Sequence, residues 1–303
     1  MTRNANTVSA SERNDGMMEQ RTIENLTLDE ERALYGLHDA KVLRCTFDGP
    51  ADGESAFKEC GNLTVEDCDF RLRYPFWHVE NAEIRGSRMT GTCRAALWYD
   101  RDIRLTDCTL HGIKALRECD GAVLKKCDIE SPEFGWFCRG VRLEDCRLVS
   151  EYPFLRCRDM ELTDLRMQGK YSFQYVEDMT IRDSVLDTKD AFWHCKNVTV
   201  TDSVVKGEYL AWYSENLKLV RCKIIGTQPL CYCRGLVLED CELEGADLAF
   251  ENSDVTASIK GEVLSVKNPV HGRIEAGRIG EIILDEHRWP GADCEIIQTN
   301  VPR

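Results

Sequence analysis

A chain built on a 19-residue repeat can take only a few folds, because each repeat must be one unit that buries its apolar face by stacking on the next. Cys108, Cys127 and Cys146 carry that period, as do Cys119, Cys138 and Cys157, and again Cys222 and Cys241. The unit is clearest in Arg139-Gly-Val-Arg-Leu-Glu-Asp-Cys-Arg-Leu-Val-Ser-Glu-Tyr-Pro-Phe-Leu-Arg-Cys157. Its second position runs Asp39, Asn62, Asn81, Asp102, Gly121, Gly140, Asp159, Asp178, Asn197, Asn216, Gly235, Asp254, all residues that tolerate left-handed backbone. Nine of the eleven spacings in that series equal the cysteine period, and the two longer ones, Asp39 to Asn62 and Asn81 to Asp102, lie near the N-terminus.

Positions three and five are apolar (Val141/Leu143, Val198/Val200, Leu236/Leu238), while four and six are mostly polar (Arg142/Glu144, Thr199/Thr201). That alternation marks a strand with one buried face. An Asp at position seven (Asp67, Asp107, Asp145, Asp183, Asp202, Asp240) turns the chain, and positions eight and ten form a second inward pair such as Cys146/Leu148. A third strand is expected near positions 14 to 19. The pattern predicts an all-β chain: a right-handed, single-stranded parallel β-helix of about eleven 19-residue rungs with three short strands each. A leucine-rich repeat overlaps this period but needs fixed Leu and Asn columns that are absent.

The rod is expected over residues 38–285, with a disordered tail at 1–21, a cap at 22–37 and a second cap at 286–303. Thr27-Leu-Asp-Glu30 has capping-box form, so a short N-terminal helix closed by Gly36 should cover the first rung. From Ile259 to Asp285 the unit decays, predicting shorter terminal strands.

The sixteen cysteines then read as core rather than as disulfides or ligands. Thirteen of them form two columns in which Ser184 and Ser203, or Val79 and Val176, also occur. Cys231 and Cys233 leave a metal site open, but C-x-C without a second pair is a weak signal, and no metal and no cofactor are expected. The net charge of -14 disfavours nucleic-acid and anionic-membrane partners. No apolar run approaches the length of about 18 residues that a membrane helix needs, and the N-terminus lacks a secretion signal, so a cytoplasmic location is expected. Oligomeric state is left open.

One face differs from the rest. Position 18 reads His78, Tyr99, Glu118, Phe137, Arg156, Tyr175, His194, Tyr213, Tyr232, Glu251, and its charged members argue for an outward column. Position 14, of the same parity, includes Tyr152, Tyr171, Asp190, Tyr209, Gln228 and Asp247. Parity places the intervening position 17 (Trp77, Trp98, Trp136, Trp193, Trp212) inside as a Trp ladder. Arg117 and Gln174 in that column, beside an apolar position 16 (Phe76, Leu97, Phe154, Phe173, Phe192), leave open a bulge that inverts the register.

Aromatic rings bordered by carboxylates suit a glycan or similar polar ligand, with Tyr175, Tyr209, Tyr213, Gln228, Tyr232, Arg156 and Glu118 as contacts. A polysaccharide lyase or glycoside hydrolase would instead draw on Asp190, His194, Glu208 and Glu251. A non-enzymatic interaction scaffold is the third reading.

The runs Thr188-Lys-Asp-Ala-Phe-Trp-His194, Glu208-Tyr-Leu-Ala-Trp-Tyr-Ser-Glu-Asn216, Gln228-Pro-Leu-Cys-Tyr-Cys233, Leu248-Ala-Phe-Glu251 and Ser265-Val-Lys-Asn-Pro269 resemble the bacterial family of domain of unknown function 3737, over roughly residues 22–300. The resemblance implies a cytoplasmic bacterial protein with a pectin-lyase-like right-handed β-helix and supplies no activity. The clustered calcium-binding Asp of pectate lyases has no counterpart, because the position-seven Asp mark every turn.

Overall fold

A computed structural model describes residues 20–49 and 54–299. All its strand pairings are parallel, and partners lie one repeat away, as in the line Met160, Met179, Val198, Leu217. The chain is a parallel β-helix of about fourteen turns, with no α-helix among the described residues.

The corners follow from the sequence. Eleven of the twelve position-two residues, Asp39 to Gly235, are left-handed, with φ between 52° and 76°. The position-seven Asp do the same, for example Asp145 and Asp202 with φ of 53° and 50°. The position-two amides also bond from turn to turn: Asn81 Nδ2 donates to Asn62 Oδ1 at 2.8 Å, and Asn216 Nδ2 to Asn197 Oδ1 at 3.0 Å.

Inside, Phe154, Phe173 and Phe192 stack with centroids 5.4 and 4.9 Å apart. All sixteen cysteines are free, and all but Cys294 are buried. Their columns are more than filler. A left-handed corner residue turns the next N–H inward, and the side chain one turn on accepts it. Cys127 N–H donates to Cys146 Sγ at 3.5 Å, and Ser184 N–H to Ser203 Oγ at 3.0 Å. Asp100 takes a place in the second column, fully buried, and its Oδ1 accepts from Val79 N–H at 2.8 Å.

Several expectations are corrected. The expected N-terminal helix is instead the third side of the first turn. Arg32, Leu34 and Gly36 donate to Glu54, Ala56 and Lys58 carbonyls one turn on, because stacked backbone offers acceptors while a one-turn helix is costly to nucleate. Arg21–Glu24 already forms a strand paired with His38–Leu43. Turns at both ends therefore raise the number above eleven. The tail expected at 1–21 falls, except for Gln20 and Arg21, outside the described residues. The C-terminal strands are longer than expected, Asp254–Lys267 and His271–Ile283, because the corner between the first two sides gives way to a bulge at Ile259/Glu262. Beyond them Glu295–Gln298 pairs with Arg273–Ala276.

The third side is a strand only in short pieces such as Phe76–Trp77 and Leu97–Trp98. Farther along, alternate residues are left-handed: Asp190, Phe192 and His194 have φ of 51°, 61° and 55°, and Tyr209, Ala211 and Tyr213 have 55°, 63° and 60°. Such backbone does not alternate in and out as extended chain does. Positions 15 and 16 both point in, and 17 and 18 both point out. Phe192 is thus buried while Trp193 is half-buried on the outside, so the Trp column is not interior, and a simple inversion of register does not hold either, because position 18 stays outside.

Candidate functional site

Position 18 forms an external ladder. Tyr175, His194, Tyr213 and Tyr232 stack with centroids 4.9, 5.1 and 4.9 Å apart and planes within 14° of parallel. The Arg156 guanidinium caps the upper end, 4.8 Å from the Tyr175 ring. Each ring covers its neighbour's face, so the flank presents edges: tyrosine hydroxyls and an imidazole. Beside it Trp193 and Trp212 stack at 5.4 Å, and their indole N–H groups donate to Tyr209 O and Gln228 O at 2.7 and 2.9 Å.

On the ladder's other side runs a column of charges from position one. Arg158 pairs with Glu177 at 3.6 Å, and Lys196 with Glu215 at 3.4 Å. Ladder and charges enclose a groove of about 530 Å³ reaching from Phe137 and Arg156 to Tyr213. It shares His194, Tyr213 and Glu215 with a second cleft of about 700 Å³ at the C-terminal end. The walls of that cleft add Tyr232, Arg234, Asn252, Asp254, His271, His287 and Trp289.

His271 Nδ1 lies 2.7 Å from Asp293 Oδ1. A carboxylate can only accept, so this nitrogen carries the proton and Nε2 is left for the cleft. The same bond holds the Asp293 carboxyl below its ordinary range. His271, His287 and Trp289 were not among the residues expected from sequence. Their signal was the interval between turns: the repeat points from Asp254 to Arg273, whereas Asp254 pairs with His271, nearer in the chain.

The residues expected from sequence fall into separate places. Tyr175, Tyr213, Tyr232, Arg156 and His194 share the ladder. Tyr209 and Gln228 lie beyond the Trp pair, Tyr209 meeting Trp212 edge-on at 5.4 Å. Asp190 and Glu208 line neither groove nor cleft. Glu208 pairs with Lys189 at 3.1 Å, and burial raises the Asp190 carboxyl, opposed by Lys189. Glu118 sits above the groove, its carboxylate 3.0 Å from Arg117 Nε.

Glu251 needs a correction of position. One extra residue in its turn puts Asn252, with φ 52°, in the ladder's left-handed slot and Glu251 in the neighbouring one. There it pairs with Lys267 at 2.9 Å, and Tyr232 Oη donates to it at 3.5 Å. Burial first, and then Glu251, push the Tyr232 phenol up.

Among the described residues one group could hold a metal, His111, Asp128 and Glu130, on a different face. Arg147 already binds both carboxylates, at 2.6 and 3.1 Å. Cys231 and Cys233 are buried, which pushes their thiols up to about 12 and about 11, so they are poor thiolate ligands.

Fold and face define a parallel β-helix protein with one aromatic flank. The chain belongs to the family described as "Protein of unknown function (DUF3737)", whose model matches residues 21–297. No curated protein matches it. Among solved structures it is similar to the mannuronan C-5 epimerase AlgE6 A-module of Azotobacter vinelandii, with 8% identity, TM-score 0.42, 78% of this chain and 89% of that one covered. It is also similar to the DFA-IIIase of Arthrobacter chlorophenolicus A6 in complex with GF2, with 11% identity, TM-score 0.43 and coverages of 92% and 88%. These likenesses are too distant to bear on function. No helix of the described chain is long and apolar enough to cross a membrane.

Proposed function

We propose that this protein binds a linear carbohydrate, or a similarly polyhydroxylated chain, along the groove between the aromatic ladder and the charge column. The supporting observation is the ladder's repeat of 4.9 to 5.1 Å over four consecutive rings. A pyranose chain advances by a similar length per unit, so successive sugars meet the same edge chemistry. Hydroxyl and imidazole edges take sugar hydroxyls, while charges opposite supply donors and acceptors in alternation. The test is calorimetric titration of neutral and uronic-acid oligosaccharides into the protein. Binding that is lost in the Tyr213→Ala, Tyr232→Ala double variant supports the reading; unchanged binding in that variant removes it.

A second reading, turnover of the bound chain, is favoured by the His271–Asp293 pair at the cleft, an arrangement suited to proton transfer. Reducing-end release from the same glycans, abolished in His271→Gln, would establish it. Absence of release from every glycan would leave binding alone.

A further inference from the structure

The C-terminal cleft arises from two turns of unequal length. Asp254 and His271 are partners, which makes this turn shorter than the repeat, and only Asn268, Pro269 and Val270 separate its two long strands. The next turn is longer than the repeat, running from Arg273 to its partner Glu295, and its surplus is the loop 284–294. A short turn followed by a long one leaves a notch and then a step. Val270 lies in the notch, while His287 and Trp289 stand on the step, all lining the cleft that also holds Tyr232.

The step is pinned at both ends. Asn268 Nδ2 donates to Asp285 Oδ1 at 2.7 Å, and Asp285 N–H donates back to Asn268 Oδ1 at 3.1 Å. At the other end, the N–H groups of Asp293 and Cys294 both donate to Val270 O, at 2.9 and 3.2 Å. Between them Arg288 Nη2 donates to Ala292 O at 2.8 Å. A loop so anchored is a wall. The opposite end of the groove has no counterpart, because the position-18 column runs on past Phe137 to Glu118 and Tyr99 in turns of ordinary length.

We infer that the groove is a dead end and that the protein recognises one terminus of its ligand chain, seated in the C-terminal cleft. This rests on the binding reading above and sharpens it. Trp289, 61% exposed, belongs to no ring stack among the described residues, so it offers the free aromatic face that the ladder's stacked flank denies to a sugar. His271, lining the same cleft with its Nε2 free of the Asp293 bond, offers that nitrogen to a terminal hydroxyl.

The experiment is calorimetry on the wild-type protein with size-fractionated cello-, malto- and galacturonate oligosaccharides, from a few units to a few tens. Terminus recognition gives one protein per chain at every length. Trp289→Ala should weaken binding about tenfold, the loss of one aromatic contact, without moving the melting temperature. Stoichiometry that rises in proportion to chain length, with Trp289→Ala neutral, overturns the inference and leaves the binding reading standing. Failure of all three series to bind removes that reading, and this inference with it.

Discussion

His194 and Tyr213 stack with centroids 5.1 Å apart and planes 8° from parallel, so neither ring has that face free for a ligand. Faces hold the ladder together and edges meet solvent, so under the proposed function stability and recognition would use different atoms of the same residues. Tyr213→Phe should keep the melting temperature while weakening glycan binding several-fold, because only the hydroxyl is lost. Tyr213→Ala breaks two stacks and should cost about 1 to 2 kcal/mol in denaturant unfolding. Equal binding by wild type and the Phe variant would assign the ladder to stability alone.

The cysteine columns make a related prediction. Cys146 Sγ accepts the Cys127 N–H, and Ser203 Oγ accepts the Ser184 N–H in the same way. Cys146→Ser should therefore be nearly neutral. Cys146→Val, of similar size but with no acceptor, should cost about 1 to 3 kcal/mol for the stranded N–H. Chemical denaturation of both variants under reducing conditions decides it, and equal stabilities would reduce the column to packing.

These cases show what was legible in the sequence. Two-residue alternation defined the first two sides, because extended backbone sends Val141 and Leu143 inward whatever their neighbours do. The third side was opaque because alternation presumes extended backbone, and Phe173 and Tyr175 are left-handed, with φ of 61° and 56°. Left-handed Tyr, Phe and His are not signalled by residue type as Asp145 or Asn197 are. The exposed ladder was read correctly from its charged members, and Glu251 was misplaced because one inserted residue is invisible to a fixed period. His271 and Trp289 were missed because the site is built by departures from the repeat, which column reasoning discards.

Gly272 follows His271 at the start of the next turn. Its φ is 98°, and a Cβ there would lie 2.1 Å from Val255 O, a backbone atom of the preceding turn. The backbone of the preceding turn thus occupies the space a side chain would need, next to His271 in the cleft. Gly272→Ala combines a clash with a left-handed alanine and should destabilise by about 2 kcal/mol or more. It should also weaken glycan binding at temperatures where the rod stays folded. Gly261→Ala is the control: it shares a positive φ of 76° but meets nothing within 4 Å, so it should cost less and leave binding intact. Equal losses in the two variants would mean that left-handed strain, not the close approach, accounts for the cost.

Asp100 gives the protein a pH dependence of its own. The carboxyl is fully buried, Oδ1 accepts the Val79 N–H, and Oδ2 has no partner. Burial raises its pKa well above the ordinary value, with backbone donors opposing weakly. In the unfolded chain the group titrates near the usual carboxylate value of about 4. Between that value and the raised native one, the folded state holds a proton that the unfolded state has released. Stability from this group is therefore full below about pH 4 and falls as pH rises towards the native pKa. Asp100→Asn keeps the acceptor for Val79 and removes the titration. Its melting temperature should gain on the wild type as pH rises from 4 to 8, by about 1 to 3 kcal/mol of stability at the upper end for the relieved carboxyl. A difference between the two proteins that stays constant over that range would show that Asp100 does not change its protonation on unfolding.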